Sequence, residues 1–422
     1  MKIPDNVIES VRDRVDVVAV VGRHVTLKRA GRNHVGLCPF HNEKSPSFNV
    51  NPDKKVFHCF GCGEGGDVFK FLSKFQNKSF PEVVREMARE VGIEVPEVEE
   101  TPEERERERA RQRLLAIVER ALHWFLDQLH GSGGVEARAY LTGRKLDAKA
   151  CSDFEIGFGG VGRDGLWQAL GQTEEDKQDL VKAGLCVTGD RGTYDRFFGR
   201  VIFPIRDEKW RVTGFGGRVF GERAKKEGVP KYLNSSESPI YDKSGALYRI
   251  PQALAKVRKG EPLVVVEGYF DAIALEQCGL AAVASCGTAL TPRHAQLMQK
   301  MGAHVVLCWD GDAAGDRAVQ KAAVVLLPLK IDTRIAVLPI GDDPDTYVAR
   351  TGTAGGTRLV QEAESLPTWV IAQAARQAEE AGDDVPRKLG AIRGIGWLFH
   401  AVPEGLEKDL YLDQAAKRFG VD

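Results

Sequence analysis

Apolar and polar positions along the chain fall into stretches of different period. Within residues 1–95, short apolar runs at 25–28, 34–37, 47–50 and 56–58 are separated by turn residues, which predicts short antiparallel strands. Two helical patterns follow, DVFKFLSKFQ at 67–76 and FPEVVREMAREVG at 80–92. The second has Pro81 at its first helical position and Gly92 as its stop. Residues 96–113, PEVEETPEERERERARQR, hold almost no large apolar side chain and predict an exposed charged linker running into a helix. From Leu114 to Leu129 the apolar spacing is helical, and GSGG at 131–134 ends that element.

Residues 135–249 mix short strands and turns. FEIGFGG, RFFGRVIFPI and RVTGFGGRVF are rich in Phe, Val and Ile and broken by glycine, the pattern of an α+β region. Between 262 and 345 the rhythm is regular: strands at 262–266, 281–284, 304–309 and 332–338 alternate with helices at 269–278, 292–301 and 315–327. Parallel neighbours need crossover connections, so this alternation predicts a parallel α/β sheet with helices on both faces. Helical patterns at 366–382, 386–400 and 406–420 complete the chain. The expected organisation is a small domain at 1–95, a linker at 96–113, an α+β subdomain at 114–249, a parallel α/β subdomain at 250–350 and a helical subdomain at 351–422.

With 422 residues, 43% hydrophobic and 28% charged, the chain has the balance of folded material and length for roughly three domains. No apolar run approaches the roughly 18 residues of a membrane-spanning helix. The start, MKIPDNVIES, lacks a secretory signal pattern, so a cytoplasmic location is expected, with no membrane association. The net charge of −1 says nothing about polyanions, and only the distribution of charge is informative. Eight cysteines in a reducing compartment point to metal ligands or buried thiols rather than disulfides.

Four of the candidate ligands have metal spacing. Cys38-Pro-Phe-His41 and Cys59-Phe-Gly-Cys62 are two knuckle pairs separated by 17 residues, suited to one tetrahedral Zn²⁺. All four positions are filled by protein, so the ion would be structural. His34 and His58 break the spacing and are set aside as ligands. Around the pairs, Phe40, Phe48, Phe57 and Phe60 interleave with Arg29, Arg32, Lys44, Lys54 and Lys55. That mixture suits stacked bases and phosphates, with core packing as the competing use of each Phe.

Three acidic turns follow three of the predicted parallel strands. Glu267 ends LVVVEG, Asp310 and Asp312 end VVLCWDGD, and GDDPD supplies Asp342, Asp343 and Asp345. On a parallel sheet these turns open at one edge, and their mutual repulsion calls for a hard divalent cation, Mg²⁺ with Mn²⁺ as a substitute. Oxygen-only ligands around such an ion suit phosphoryl transfer. Between 191 and 243, twelve Lys/Arg stand against seven acids, a local balance of +5 that suits a polyanion beside the acidic edge.

CPFH with CFGC, then RFFGRVIFPI, FGGR, KYLNSSES, VVVEGYFDAI, SCGTAL, CWDGDAAGDRA and DDPDTYV, in this order, resemble bacterial DNA primases of the DnaG type over nearly the whole chain. The resemblance implies a template-directed RNA polymerase that makes short RNA primers on single-stranded DNA. The reaction would be Mg²⁺-dependent nucleotidyl transfer from ribonucleoside triphosphates, leaving an RNA–DNA hybrid. It also implies an N-terminal zinc ribbon for the template, a mixed α+β subdomain, a toprim-type parallel sheet and a C-terminal helical subdomain, acting as a monomer.

By the same resemblance Cys38, His41, Cys59 and Cys62 hold zinc. Glu267, Asp310, Asp312, Asp343 and Asp345 hold magnesium, the first three being catalytic, with Asp271 as a supporting acid. Arg144, Arg196, Arg200, Arg218, Lys231, Asn234 and Lys243 match the ridge that binds template and nucleotide. Phe270 stands where the family pattern has methionine, and VFGERAKKEGVP is longer than usual. The family's further C-terminal domain, which docks on the replicative helicase, is not expected in this chain. Two other readings remain open on the residues alone. One is a toprim topoisomerase or nuclease, which would need a nucleophilic tyrosine for which no candidate context stands out. The other is a zinc-dependent single-strand-binding module with an inert acidic site.

Overall fold

The computed structural model opens with two helices. It describes residues 3–43, 45–52, 55–76, 78–96, 101–190, 192–287, 289–310 and 313–420, and divides into two compact units, Met1–Arg109 and Ala110–Asp422. In the first unit, helices α1 (Asp5–Arg14) and α2 (Val17–Gly22) precede every strand, where the sequence pattern predicts no element. The reason for α2 is local: Asp16 Oδ1 accepts the amides of Val18 at 2.9 Å and Ala19 at 3.1 Å, and Val17, Val20 and Val21 form one buried stripe.

Five antiparallel strands follow in sequence order: β1 (Lys28–Ala30), β2 (Asn33–Gly36), β3 (Phe48–Asn51), β4 (Val56–Cys59) and β5 (Gly65–Asp67). Helices α3 (Val68–Gln76) and α4 (Phe80–Glu90) cover them, the latter entered through Glu82, which accepts from the Ser79 amide and hydroxyl. The core holds Phe48 and Phe57, stacked at 5.3 Å, together with Phe69 and Phe71. Thus Phe48 and Phe57 are packing residues, Phe40 is half-buried against them, and Phe60, 73% exposed, is the member of the aromatic set that faces water. Lys55 turns its ammonium onto the carbonyls of Arg12 and Asp13 at the end of α1; Lys44 and Lys54 lie outside the described residues.

The expected linker is helical from Pro102 onward, as α5 (Pro102–His130). A reciprocal cap between Thr101 and Glu104 starts it, and exposed Glu and Arg at i, i+3 spacing, such as Glu104/Arg107 and Glu106/Arg109, sustain it without burial. Next come α6 (Val135–Gly143), α7 (Ala148–Asp153), β6 (Gly157–Phe158), α8 (Gly165–Leu170) and α9 (Glu174–Lys182). The hairpin β7 (Cys186–Gly189) and β8 (Gly192–Asp195) leads to β9 (Arg200–Arg206), β10 (Val212–Val219) and β11 (Tyr232–Asn234). Strands β11-β10-β9-β6 form an antiparallel sheet in that order.

After α10 (Ile250–Val257) the alternation runs β12 (Leu263–Val266), α11 (Tyr269–Gln277), β13 (Ala281–Ala284), α12 (Pro292–Lys300), β14 (Val305–Leu307), α13 (Ala313–Leu326) and β15 (Thr333–Ile335). Besides α10, two elements were not foreseen. Helix α14 (Pro344–Gln361) is capped by Asp343 and interrupted at Gly352, where φ is +70°, so its glycine-broken pattern does not read as helical. Strand β16 (Glu364–Ser365) pairs antiparallel with β15, so the expected parallel sheet is mixed at that edge. Helices α15 (Leu366–Glu380), α16 (Val385–Gly394), α17 (Gly396–Ala401) and α18 (Leu406–Phe419) end the chain. Among the described residues, no helix is long and apolar enough to cross a membrane.

The sheet order is β13-β12-β14-β15-β16, and its continuous apolar runs reflect burial on both faces. Val264, Val266 and Val306 join the core shared with the antiparallel sheet, whereas Leu263, Val265, Val305 and Leu307 join a second core with α10, α12, α13 and α15. The chain leaves β12 toward β13 on one side and reaches β14 on the other, so the crossover direction reverses beside β12. A ligand crevice is expected beyond the carboxyl ends of β12 and β14. Leu307→Ala, at a fully buried central position, should cost about 2–5 kcal/mol in denaturant unfolding of the second unit. Leu406→Ala, 75% exposed, should stay within about 0.5 kcal/mol.

Candidate functional site

The first unit gathers the two ligand pairs at one end of its meander. Cys38 follows β2, Cys59 ends β4, and pairing of β3 with β4 sets Phe48 opposite Cys59. Donor atoms of Cys38, His41, Cys59 and Cys62 all lie within 4.8 Å of one another, the one such group found among the described residues. Cys38 Sγ to Cys62 Sγ and Cys59 Sγ to His41 Nδ1 are each 3.8 Å. That is the edge of a tetrahedron with arms of about 2.3 Å, so the donor set fits zinc in geometry as well as chemistry. His34 and His58 stay outside the group.

Two residues that the sequence reading passed over hold this cluster. Glu43 Oε2 lies 3.3 Å from His41 Nε2, and its Oε1 accepts the amides of Cys38 at 2.7 Å and Ser47 at 3.2 Å. The Ser47 hydroxyl donates to Glu43 and lies 3.2 Å from Cys59 Sγ. That hydroxyl first, with the two amides, holds the Glu43 carboxyl below the usual range. An ionised Glu43 keeps the proton of His41 on Nε2 and leaves Nδ1 free for metal. Gly61 is required here, because a Cβ would come within 2.7 Å of His41 Nε2 and 2.8 Å of Ser47 Oγ. The only signal in the sequence was a carboxylate two residues after the histidine.

In the second unit, Glu267 follows β12 and Asp310 follows β14, on the two sides of the crossover reversal. Both line a cavity of about 230 Å³, together with Asp271 and Asp343. Asp312 lies outside the described residues. Burial, then the neighbouring charges of Asp343 and Asp310, push the Asp271 carboxyl up to about 7, against a 3.3 Å hydrogen bond from the Asp345 amide. Burial is the larger cause and the neighbouring acids the smaller, and a group of carboxylate oxygens at such a place suits Mg²⁺.

Arg144, Arg218 and Lys231 line the same cavity, because the β10–β11 strands lie across the carboxyl edge of the sheet. Asp345 Oδ2 is paired with Arg144 Nη1 at 2.7 Å, and Asp343 Oδ1 caps α14 through the Thr346 amide and hydroxyl, both at 2.7 Å. Phe270, in place of the family's methionine, seats the Arg144 guanidinium 4.8 Å from its ring centre.

The remaining ridge residues divide. Arg218 lies 4.6 Å over the Tyr232 ring, Lys231 is exposed at the cavity, and Lys243 is exposed with its amide donating to Glu237 at 3.0 Å. Arg200 does not present its charge to water. It is 2% exposed and donates to the carbonyls of Gly217 at 3.3 Å and Pro230 at 2.9 Å, and burial, with Arg223 and Arg196 nearby, pulls it down to about 10. Arg196 donates to the Asn234 carbonyl at 3.0 Å, and the Asn234 side chain is bonded to Tyr269 and Cys286. Arg163, which the sequence does not single out, and Arg223, one of the twelve cations of the basic stretch, flank Phe198, 5.3 and 3.6 Å from its ring centre. They sit singly in glycine-rich or charge-mixed loops, so nothing in the local sequence ties them together. Arg191 lies outside the described residues.

Comparison with known proteins covers most of the chain. Residues 3–103 match the CHC2 zinc finger, 124–254 the N-terminal domain of the DNA primase catalytic core, and 264–348 a Toprim-like domain. A DNA primase of Listeria innocua is 35% identical over 433 residues, spanning 99% of this chain and 67% of the relative. The crystal structure of the Aquifex aeolicus primase, with its zinc-binding and RNA polymerase domains, is 28% identical and superposes with a TM-score of 0.62 over 99% of this chain and 97% of that one. A DnaG primase catalytic domain bound to single-stranded DNA is 34% identical, with a TM-score of 0.64 over 74% of this chain and 98% of that one.

Glu43→Ala should leave the four zinc donors in place yet weaken metal retention by about 10–100-fold in chelator competition. Retention equal to that of the parent protein would remove Glu43 from the account. Stripping the metal completely should unfold the first unit, seen as lost far-ultraviolet dichroism that returns on adding zinc.

Proposed function

The chain belongs to the DnaG-type DNA primases, which are RNA polymerases, and from that premise we propose that nucleotides are joined in the crevice beyond β12 and β14. The observation that carries this reading is the shared cavity, with Glu267 and Asp310 on one side and Arg144, Arg218 and Lys231 on the other. Such a place accepts a triphosphate on its cations and a reacting phosphate beside its acids.

In the proposed reaction the 3′-hydroxyl of the growing RNA attacks the α-phosphate of an incoming ribonucleoside triphosphate. The bond to the bridging oxygen breaks and pyrophosphate leaves. Glu267, Asp310, Asp312, Asp343 and Asp345 would hold Mg²⁺, or Mn²⁺ in its place. When bound, that cation would favour ionisation of the attacking hydroxyl and neutralise charge on the leaving pyrophosphate. Asp271 would support this set from the first turn of α11. Lys231 and Arg218 would bind the triphosphate, the latter held planar against Tyr232. Arg144, fixed between Asp345 and Phe270, would place the third acidic turn against the nucleotide.

The single-stranded template would track the cations outside the cavity: Arg196 and Lys243, with Arg163 and Arg223 about Phe198 offering a guanidinium–aromatic surface to bases. In the first unit, exposed Phe60, with His58 against it at 4.7 Å, would stack on template bases. Zinc would act there as a structural ion, since four protein donors leave no open position.

Asp310→Ala or Glu267→Ala should reduce incorporation of labelled ribonucleotides by about 10³-fold or more, while anisotropy with single-stranded DNA changes less than about 3-fold. Lys231→Ala should instead raise the nucleotide KM by about 10-fold with little change in template affinity. Synthesis persisting within about 10-fold of the parent in both acid variants would refute the assignment.

A further inference from the structure

The resemblance assigns Asn234 to the ridge that binds template and nucleotide, but its side chain already has partners inside the protein. Its Oδ1 accepts from the Tyr269 hydroxyl at 2.7 Å, and its Nδ2 donates to the Cys286 carbonyl at 2.7 Å. Its backbone carbonyl accepts from Arg196 Nε at 3.0 Å. Three segments therefore meet at one amide: the end of β11, the first residue of α11 and the turn after β13.

Each of these segments bears on the cavity. Tyr269 stands two residues after Glu267, and the amide of Gly287, next to Cys286, donates to the Glu267 carbonyl at 3.2 Å. Cys286 has φ +59°, a conformation that a residue with a Cβ keeps only where its surroundings hold it. The Tyr269 ring is buried and stacked on Phe203 at 4.7 Å, which leaves its hydroxyl little freedom. Opposite Asn234 across the ladder stands Gly216, and any side chain there would overlap the Tyr269 ring. The missing side chain in FGGR is thus part of how Tyr269 reaches Asn234.

We propose that Asn234 is a positioning residue: it locks Lys231 and Tyr232, three and two places before it, against the Glu267 turn, and acts on nucleotide through them rather than by touching it. The inference rests on the reading of the cavity as the nucleotide site. Loss of the clamp lets the strand carrying Lys231 shift away from the triphosphate, which weakens binding more than it slows the chemical step.

The test uses the full chain with zinc bound, comparing Asn234→Ala, Tyr269→Phe, the double variant and Lys231→Ala in steady-state primer synthesis, with thermal unfolding in parallel. Tyr269→Phe is the decisive member, because it deletes one buried hydroxyl whose partner is Asn234. Each of the clamp variants should raise the nucleotide KM by about 10-fold, with kcat within about 3-fold and a melting temperature lowered by only a few degrees. The double variant should be no worse than Asn234→Ala, since that change already removes the Tyr269 bond along with the one to Cys286. If Asn234→Ala raises KM and Tyr269→Phe does not, Asn234 touches the nucleotide and the inference is wrong. It is equally wrong if neither moves KM, or if activity lost on heating tracks unfolding with KM unchanged. If Lys231→Ala leaves KM unaltered, the fault lies in the reading of the cavity, and the clamp loses its role with it.

Discussion

Like charges brought together at the carboxyl edge of a parallel sheet are the constraint on which the second unit is built. Each acidic turn follows its own strand, and the strand order places β12 beside β14, so Glu267 and Asp310 meet wherever this sheet forms. Cations and a helix end stand around the acidic turns: Arg144 on Asp345, the N-terminus of α14 over Asp343, and Lys231 and Arg218 across the cavity. Burial first, then the charges of Asp343 and Asp310, raise the Asp271 carboxyl, so acids still face one another there. The residual charge is what a divalent cation would neutralise, and it joins fold to chemistry.

The antiparallel sheet is shaped to bring cations to that edge. Its glycines at 214, 216 and 217 are packed against Tyr241, Tyr269 and Phe197, where side chains would collide. Close approach is what allows β10 and β11 to lie against α11 and the Glu267 turn. The first unit uses an analogous device on a smaller scale, where Gly61 admits His41 and Ser47 and Glu43 fixes the imidazole. In both places the residues that bind are held by a layer of hydrogen-bonding residues behind them.

Legibility followed the range of the physics involved. The zinc pairs are readable because a knuckle is made by ligands three apart, and the parallel strands because burial on both faces leaves unbroken apolar runs. The strand ends gave Glu267 and Asp310 for the same reason. Helix α2 has no helical signature in its run of valines, which favour strands, and a single cap, Asp16, decides for the helix. The second half of α5 follows the helical spacing from Leu114, whereas its start falls in the expected linker because composition outweighed a Thr101–Glu104 cap that is visible in TPEE. Strand β16 is two residues long, too short for any period. The burial of Arg200 and the internal bonding of Asn234 depend on contacts 17 to 52 residues away, which no local pattern encodes.

Titration of free Mn²⁺ by electron paramagnetic resonance, on the zinc-loaded chain and on its Glu267→Ala and Asp310→Ala forms, tests the central claim most directly. Loss of the free-ion signal at sub-millimolar to millimolar concentrations in the parent, abolished in both variants and competed by Mg²⁺, is the predicted result. Equal uptake by all three proteins, or none by the parent in the presence of nucleotide and template, would contradict it.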